Sequence, residues 1–104
     1  MRIEEQIEDV RRDHRYWSDE TFGRDAGPVG PLKHLASEAE EAAENPLDIM
    51  EYADCYFLLW DALHRSGFTR QDLYHALKAK LAINRLRKWP EPKDGEPREH
   101  VKED

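Results

Sequence analysis

Residues 47–65, LDIMEYADCYFLLWDALHR, constrain the fold of this chain more than any other stretch. Ile49, Met50, Tyr52, Ala53, Cys55, Tyr56, Phe57, Leu58, Leu59, Trp60, Ala62 and Leu63 fill almost every azimuth of a helix. A helix that is apolar all round has to be surrounded by protein. Yet Glu51 and Asp54 stand one turn apart inside this run, and Glu38 and Glu41 repeat the same spacing in the segment before it. Any fold must therefore bury the helix and still accommodate carboxylates that are costly to desolvate.

The rest of the chain supplies short helices to pack around it. Ile3, Ile7, Val10, His14 and Trp17 recur at steps of four, three, four and three, which predicts a first helix over residues 2–17 with His14 as a core histidine. GRDAGPVGP, residues 23–31, holds three glycines and two prolines and reads as a loop, with Pro31 suited to the first turn of a second helix that runs to Asn45. Pro46 breaks that helix, and the third covers 47–65 until Gly67 ends it, so that helices two and three form a hairpin. Thr69 and Asp72 resemble a capping box that opens a fourth helix, running to Lys88. The expected fold class is all-α: a four-helix bundle of residues 1–89, followed by a polar, Pro-rich C-terminal arm, 90–104, that is extended or disordered.

A chain of 104 residues buries only about 60 to 65% of its unfolded surface when alone, so the all-round apolar helix three predicts a homo-oligomer, a dimer or a dimer of dimers. The acidic, amphipathic N-terminus is unlike a secretory signal, and no run approaches the ~18 apolar residues of a membrane span. The chain reads as cytoplasmic, with no membrane partner. A formal net charge of −7 offers no electrostatic footprint for polymeric nucleic acid. The single cysteine, Cys55, lies within DCYFLL, reads as a core residue, and makes a thiolate zinc site improbable.

On helix two, Leu32, Leu35, Ala36, Ala39, Ala42 and Ala43 make the core stripe, and His34, Glu38, Glu41 and Asn45 a second stripe beside it. Glu51 and Asp54 form the matching pair on helix three. Taken alone, the glutamates of helix two read as an ordinary solvated face. The second pair, on the most apolar helix, points instead to a divalent cation, because four mutually repelling carboxylates need one. All-oxygen ligands suit Mg²⁺ or Mn²⁺. Asp61, seven residues after Asp54, is expected to pair with a basic residue or a helix end rather than to join this set. A di-iron bundle would need Glu-x-x-His on two helices, and no histidine here follows a glutamate by three.

Helix four carries Lys80, Asn84 and Lys88 at steps of four, next to the stripe of Leu73, Leu77 and Leu81. Such a row is often a plain basic surface, but beside clustered carboxylates it suggests a polyanion, and metals bridging to phosphate oxygens would suit a nucleoside triphosphate. Neither G-x-x-x-x-G-K-[ST] nor G-x-G-x-x-G occurs, so metals and side chains would have to hold the phosphates.

Glu38-Ala-Glu-Glu41, Glu51-Tyr-Ala-Asp54 and the later KLAINRLRKWP, with Lys80, Asn84 and Lys88, resemble the MazG-like all-alpha nucleoside triphosphate pyrophosphohydrolases. WSDETFG, GPVGPLKHLASEAEEAAENPLD and KLAINRLRKWPEPKDGEP are similar to the small, MazZ-like branch of phage and prophage dATP/dGTP diphosphohydrolases. The resemblance implies hydrolysis between the α and β phosphates to a nucleoside monophosphate and pyrophosphate, directed at purine nucleotides. It also implies two or three Mg²⁺ or Mn²⁺ ions on Glu38, Glu41, Glu51 and Asp54. A water oriented by a carboxylate, Glu41 or alternatively Glu38, would attack the α phosphorus. Lys80, Asn84 and Lys88, with Arg85 as a helper, would hold phosphate and sugar, and Trp17, Phe22, Trp89 and His34 are candidates for the base. The competing expectation is a non-catalytic helical oligomerisation module whose carboxylates pair with lysines.

Overall fold

A computed structural model describes residues 1–91 and 93–102; Pro92, Glu103 and Asp104 of the expected arm lie outside the described residues. The elements are α1 (Ile3–Phe22), α2 (Val29–Glu44), α3 (Ile49–Arg65) and α4 (Arg70–Leu86), and among the described residues there is no strand beyond one isolated bridge. No described helix is long and apolar enough to cross a membrane. Packing divides the chain into two units, Met1–Thr69 and Arg70–Asp104.

In the first unit α3 is central: it packs along α2, to which the turn 45–48 joins it, and against α1. Its ends are chemically marked. Asp48 caps the N-terminus, its Oδ1 accepting from the Met50 N–H at 3.0 Å, so Leu47 falls outside the helix and is fully exposed. At the C-terminus Gly67 takes φ +80°. There the Gly67 N–H donates to the His64 carbonyl and the Phe68 N–H to the Leu63 carbonyl, the pairing of a Schellman motif, which needs a left-handed residue at that step.

The boundaries of α1 and α2 also differ from the sequence expectation. α2 begins at Val29, two residues before Pro31, because the missing N–H of a proline in the first turn has no intrahelical partner to lose. α1 continues past Trp17 to Phe22. Ser18 and Asp19 are residues whose side chains usually compete with helix backbone, but here they are turned toward α3. The Ser18 Oγ–H donates to Asp61 Oδ1 at 2.8 Å, and Ser18 is completely buried. The Arg65 side chain, 2% exposed, bonds Asp61 Oδ1 through Nε at 3.1 Å and Ser18 Oγ through Nη2 at 2.9 Å. Its Nη1 donates to the carbonyls of Gly23 at 2.7 Å and Ala26 at 3.0 Å. One guanidinium thus ties the end of α1 and the loop leading into α2 to the last turn of α3, and Asp61 pairs with a basic residue as expected.

Around this clamp the rings stack. His14 lies flat on Phe57, centroids 4.5 Å apart and planes 6° off parallel, and burial beside Arg65 lowers its pKa against the opposing pull of Asp61. The apolar surface is nonetheless far from closed: the buried apolar side chains among the described residues are small, Ala42 and Ala62, while Ile49, Met50, Tyr56 and Leu59 are 42–74% exposed.

Candidate metal centre

The hairpin of α2 and α3 brings Glu38 and Glu41, one turn apart near the end of α2, against Glu51 in the first turn of α3. One carboxylate oxygen from each lies within 4.8 Å of the others. Glu38 and Glu51 are partly buried and Glu41 is exposed. The Glu38 side chain, 16% exposed, is held by His34, whose Nε2 sits 3.0 Å from Glu38 Oε1 one turn earlier on α2. Asp54 is exposed and stands outside this trio, although its charge is felt at Glu51.

The electrostatics show what the trio lacks. Glu41 has its pKa raised, chiefly by a hydrogen bond with Glu38 and by the charge of Glu38, with desolvation and the charges of Glu51 and Glu44 adding to it. Glu51 is raised first by desolvation and then by the charges of Asp48, Glu38 and Asp54. Every perturbing charge named here is negative. Such a cluster is relieved either by taking up protons or by a cation, and a close-set group of carboxylate oxygens is the donor chemistry of Mg²⁺ or Mn²⁺. The residues present therefore fit a divalent ion.

The other sequence candidates have different settings. Trp17, 54% exposed, meets Phe22 edge to face at 5.6 Å and His14 at 5.7 Å. Lys80, Asn84, Arg85, Lys88 and Trp89 belong to the second unit. There Asn84 accepts twice, through Oδ1 from Arg87 Nη1 at 3.3 Å and through its carbonyl from Trp89 Nε1 at 2.8 Å. α4 ends at Leu86, so Lys88 does not continue the helical row of Lys80 and Asn84. The residue before a proline avoids helical backbone, and Trp89 precedes Pro90. Arg65, Ser18 and Asp19 were not singled out from the sequence. Asp19 Oδ1 is buried without a hydrogen bond among the described residues, with His64 Nε2 at 3.5 Å and Arg65 Nη2 at 4.0 Å. The signal was present in WSDETFG, a cluster of polar residues interrupting an apolar stripe.

This all-α chain, which gathers both acids of E-x-x-E and Glu51 of E-x-x-D across one helical hairpin, is of the MazG-like pyrophosphohydrolase class. The solved cyanophage S-2L MazG-like pyrophosphohydrolase, bound to dGDP and three catalytic Mn²⁺ ions per active site, superposes with a TM-score of 0.69 at 28% identity, over 92% of this chain and 97% of that one. The Eaa protein of Salmonella phage P22 is 59% identical over 96 residues, which is 92% of this chain and 30% of that protein's length. The family described as dATP/dGTP pyrophosphohydrolase matches residues 10–104, and the chain belongs to that family.

Proposed function

We propose that this chain hydrolyses purine deoxynucleoside triphosphates, dATP or dGTP, between the α and β phosphates, releasing the monophosphate and pyrophosphate. The observation that carries the reading is the trio Glu38, Glu41 and Glu51, with oxygens within 4.8 Å of one another and no cation among the charges that perturb them. These three, with Asp54 next to Glu51 in charge reach, would hold two or three Mg²⁺ or Mn²⁺ ions. When bound, the ions supply neutralisation of phosphate charge and Lewis acidity.

Glu41, or Glu38 in its place, accepts a hydrogen bond from the attacking water, aims its lone pair at the α phosphorus and takes its proton as the new P–O bond forms. The bond from the α phosphorus to the bridging oxygen breaks, and the electron pair leaves with pyrophosphate. His34 keeps Glu38 in place through the 3.0 Å contact. Lys80, Asn84 and Lys88, with Arg85, bind phosphate and sugar, and Trp17 and Trp89 offer faces for the base. The exposed apolar side chains of α3 are covered by further copies of the chain, in a homodimer or a dimer of dimers. In this reading residues 1–89 form the catalytic domain and 90–104 an appended arm.

The test is incubation with each of the eight common NTPs and dNTPs in Mg²⁺, Mn²⁺ or EDTA, following monophosphate and pyrophosphate by chromatography. Metal-dependent pyrophosphate release from dGTP or dATP is expected. Orthophosphate in place of pyrophosphate would overturn the cleavage site, and no release from any nucleotide would leave the helical interaction module as the better reading.

A further inference from the structure

The turn 45–48 between α2 and α3 sets how Glu41, just before it, meets Glu51, just after it. Its four residues, Asn45, Pro46, Leu47 and Asp48, are all exposed, Leu47 completely. No apolar burial therefore holds the turn in one shape; its conformation rests on hydrogen bonds and on the proline ring.

Most of those bonds are local. The Asn45 N–H donates to the carbonyls of Glu41 and Ala42, finishing α2, and Asp48 Oδ1 caps α3 through the Met50 N–H. The Asp48 N–H donates to the Asn45 carbonyl at 3.0 Å and closes the turn. One side chain reaches back from the helix beyond: the Tyr52 Oη–H donates to the Pro46 carbonyl at 2.9 Å. The pyrrolidine ring already fixes φ at Pro46, so holding its carbonyl restrains ψ as well. Tyr52 follows Glu51 directly on α3. The bond thus links the backbone that carries Glu51 to the turn that follows Glu41. An ion drawing oxygens from both helices brings them to one point, and whatever freedom the turn has is lost at that moment. A turn already fixed makes that loss smaller.

We propose that Tyr52 is a positioning residue of the metal centre: by bracing Pro46, its hydroxyl presets the approach of Glu51 to Glu38 and Glu41 for a divalent cation. The inference rests on the reading of that trio as a metal centre. Tyr52 acts through the backbone of the turn, so it governs the affinity for the ion and leaves the rate of the chemical step at saturating ion as it is.

Mn²⁺ is titrated calorimetrically into the full metal-free chain as wild type, Tyr52→Phe and Tyr56→Phe, and amide exchange at Asp48 is followed by NMR without metal. Tyr56, 59% exposed one turn further along α3, is the control, because its ring meets Trp60 and its hydroxyl makes no hydrogen bond among the described residues. The expected result is Mn²⁺ binding weakened about 3- to 10-fold in Tyr52→Phe, the worth of one hydrogen bond, with faster exchange at Asp48 and no change in Tyr56→Phe. Pyrophosphate release by Tyr52→Phe is then restored by raising Mn²⁺. Equal Mn²⁺ affinity in Tyr52→Phe and wild type, an equal loss in Tyr56→Phe, or a rate deficit that saturating Mn²⁺ does not restore overturns the proposal. A wild type that binds no Mn²⁺ removes the metal centre and this proposal together. Tyr52-dependent Mn²⁺ binding by a chain that hydrolyses no nucleotide upholds the brace and removes the pyrophosphohydrolase reading alone.

Discussion

Asp61 and Glu51 are both acids on α3, and their surroundings differ in one respect that decides what each can do. Asp61 is 7% exposed and meets Ser18 Oγ at 2.8 Å and Arg65 Nε at 3.1 Å; its charge is answered within the chain. Glu51 faces Glu38 and Glu41, with Asp48 and Asp54 adding further negative charge. The first arrangement is a finished structural joint. The second is balanced only when something is added. In one small domain, then, the acid to suspect of chemistry is the one whose perturbing charges share its sign.

The sharpest way to break this contrast is to remove one acid from the open cluster. Glu51→Gln or Glu38→Ala is expected to cost about 10³-fold or more in pyrophosphate release, while the metal-free protein melts no lower than wild type because a repulsion has been deleted. A loss of activity accompanied by unfolding would mean that the carboxylates are structural. The closed joint predicts the reverse. Arg65→Ala leaves Asp61 buried without its cation and is expected to lower stability by about 3–5 kcal/mol, read by urea denaturation. Adding Asp61→Ala should recover part of that loss, and a cost below about 1 kcal/mol would show that the joint is not what holds α1 to α3.

A smaller effect is expected at His34. Its Nε2 touches Glu38, so His34→Ala should weaken Mn²⁺ binding by about 10- to 100-fold, measured by titration calorimetry, and His34→Gln should restore part of it.

The smallest and most diagnostic effects are in pH. Glu41 and Glu51 have folded-state pKa values raised above the ordinary 4.5, so their contribution to stability is complete below that value and is lost as pH rises through the raised values. Metal-free melting temperatures should fall over that window, with the slope abolished by saturating Mn²⁺ or by Glu41→Gln together with Glu51→Gln. His14 acts with the opposite sign. Its pKa is lowered from 6.5, so its contribution is complete above that value and is lost as pH falls through the lowered one. His14→Phe should flatten that acid-side loss and leave the carboxylate slope unchanged.

Much of the fold was legible because it is local. The 3.6-residue spacing of Ile3, Ile7, Val10 and His14, the break at Pro46 and the stop at Gly67 act within a turn or two of themselves. The candidate metal centre was legible for a related reason: E-x-x-E puts two acids on one face whatever the helix packs against. Trp17 looked like the end of α1 because the apolar stripe stops there; Ser18 and Asp19 carry the helix on, and their partners, Asp61 and Arg65, are more than forty positions away. Likewise Lys88 looked helical until the Trp89–Pro90 step and the Val101 bridge drew it out of α4.

By itself, then, the sequence determined the helical elements, the acidic pairs and the family to which they belong, since periodicity and motif spacing are properties of neighbours along the chain. The tertiary structure alone decided that Asp61 is neutralised and Glu51 is not, that Asp54 stands apart from the trio, and that the chain beyond α4 returns to pair Val101 with Lys88. Those outcomes depend on which side chains from distant positions come within a few ångströms, the range over which hydrogen bonds form and desolvated charges respond most strongly to one another.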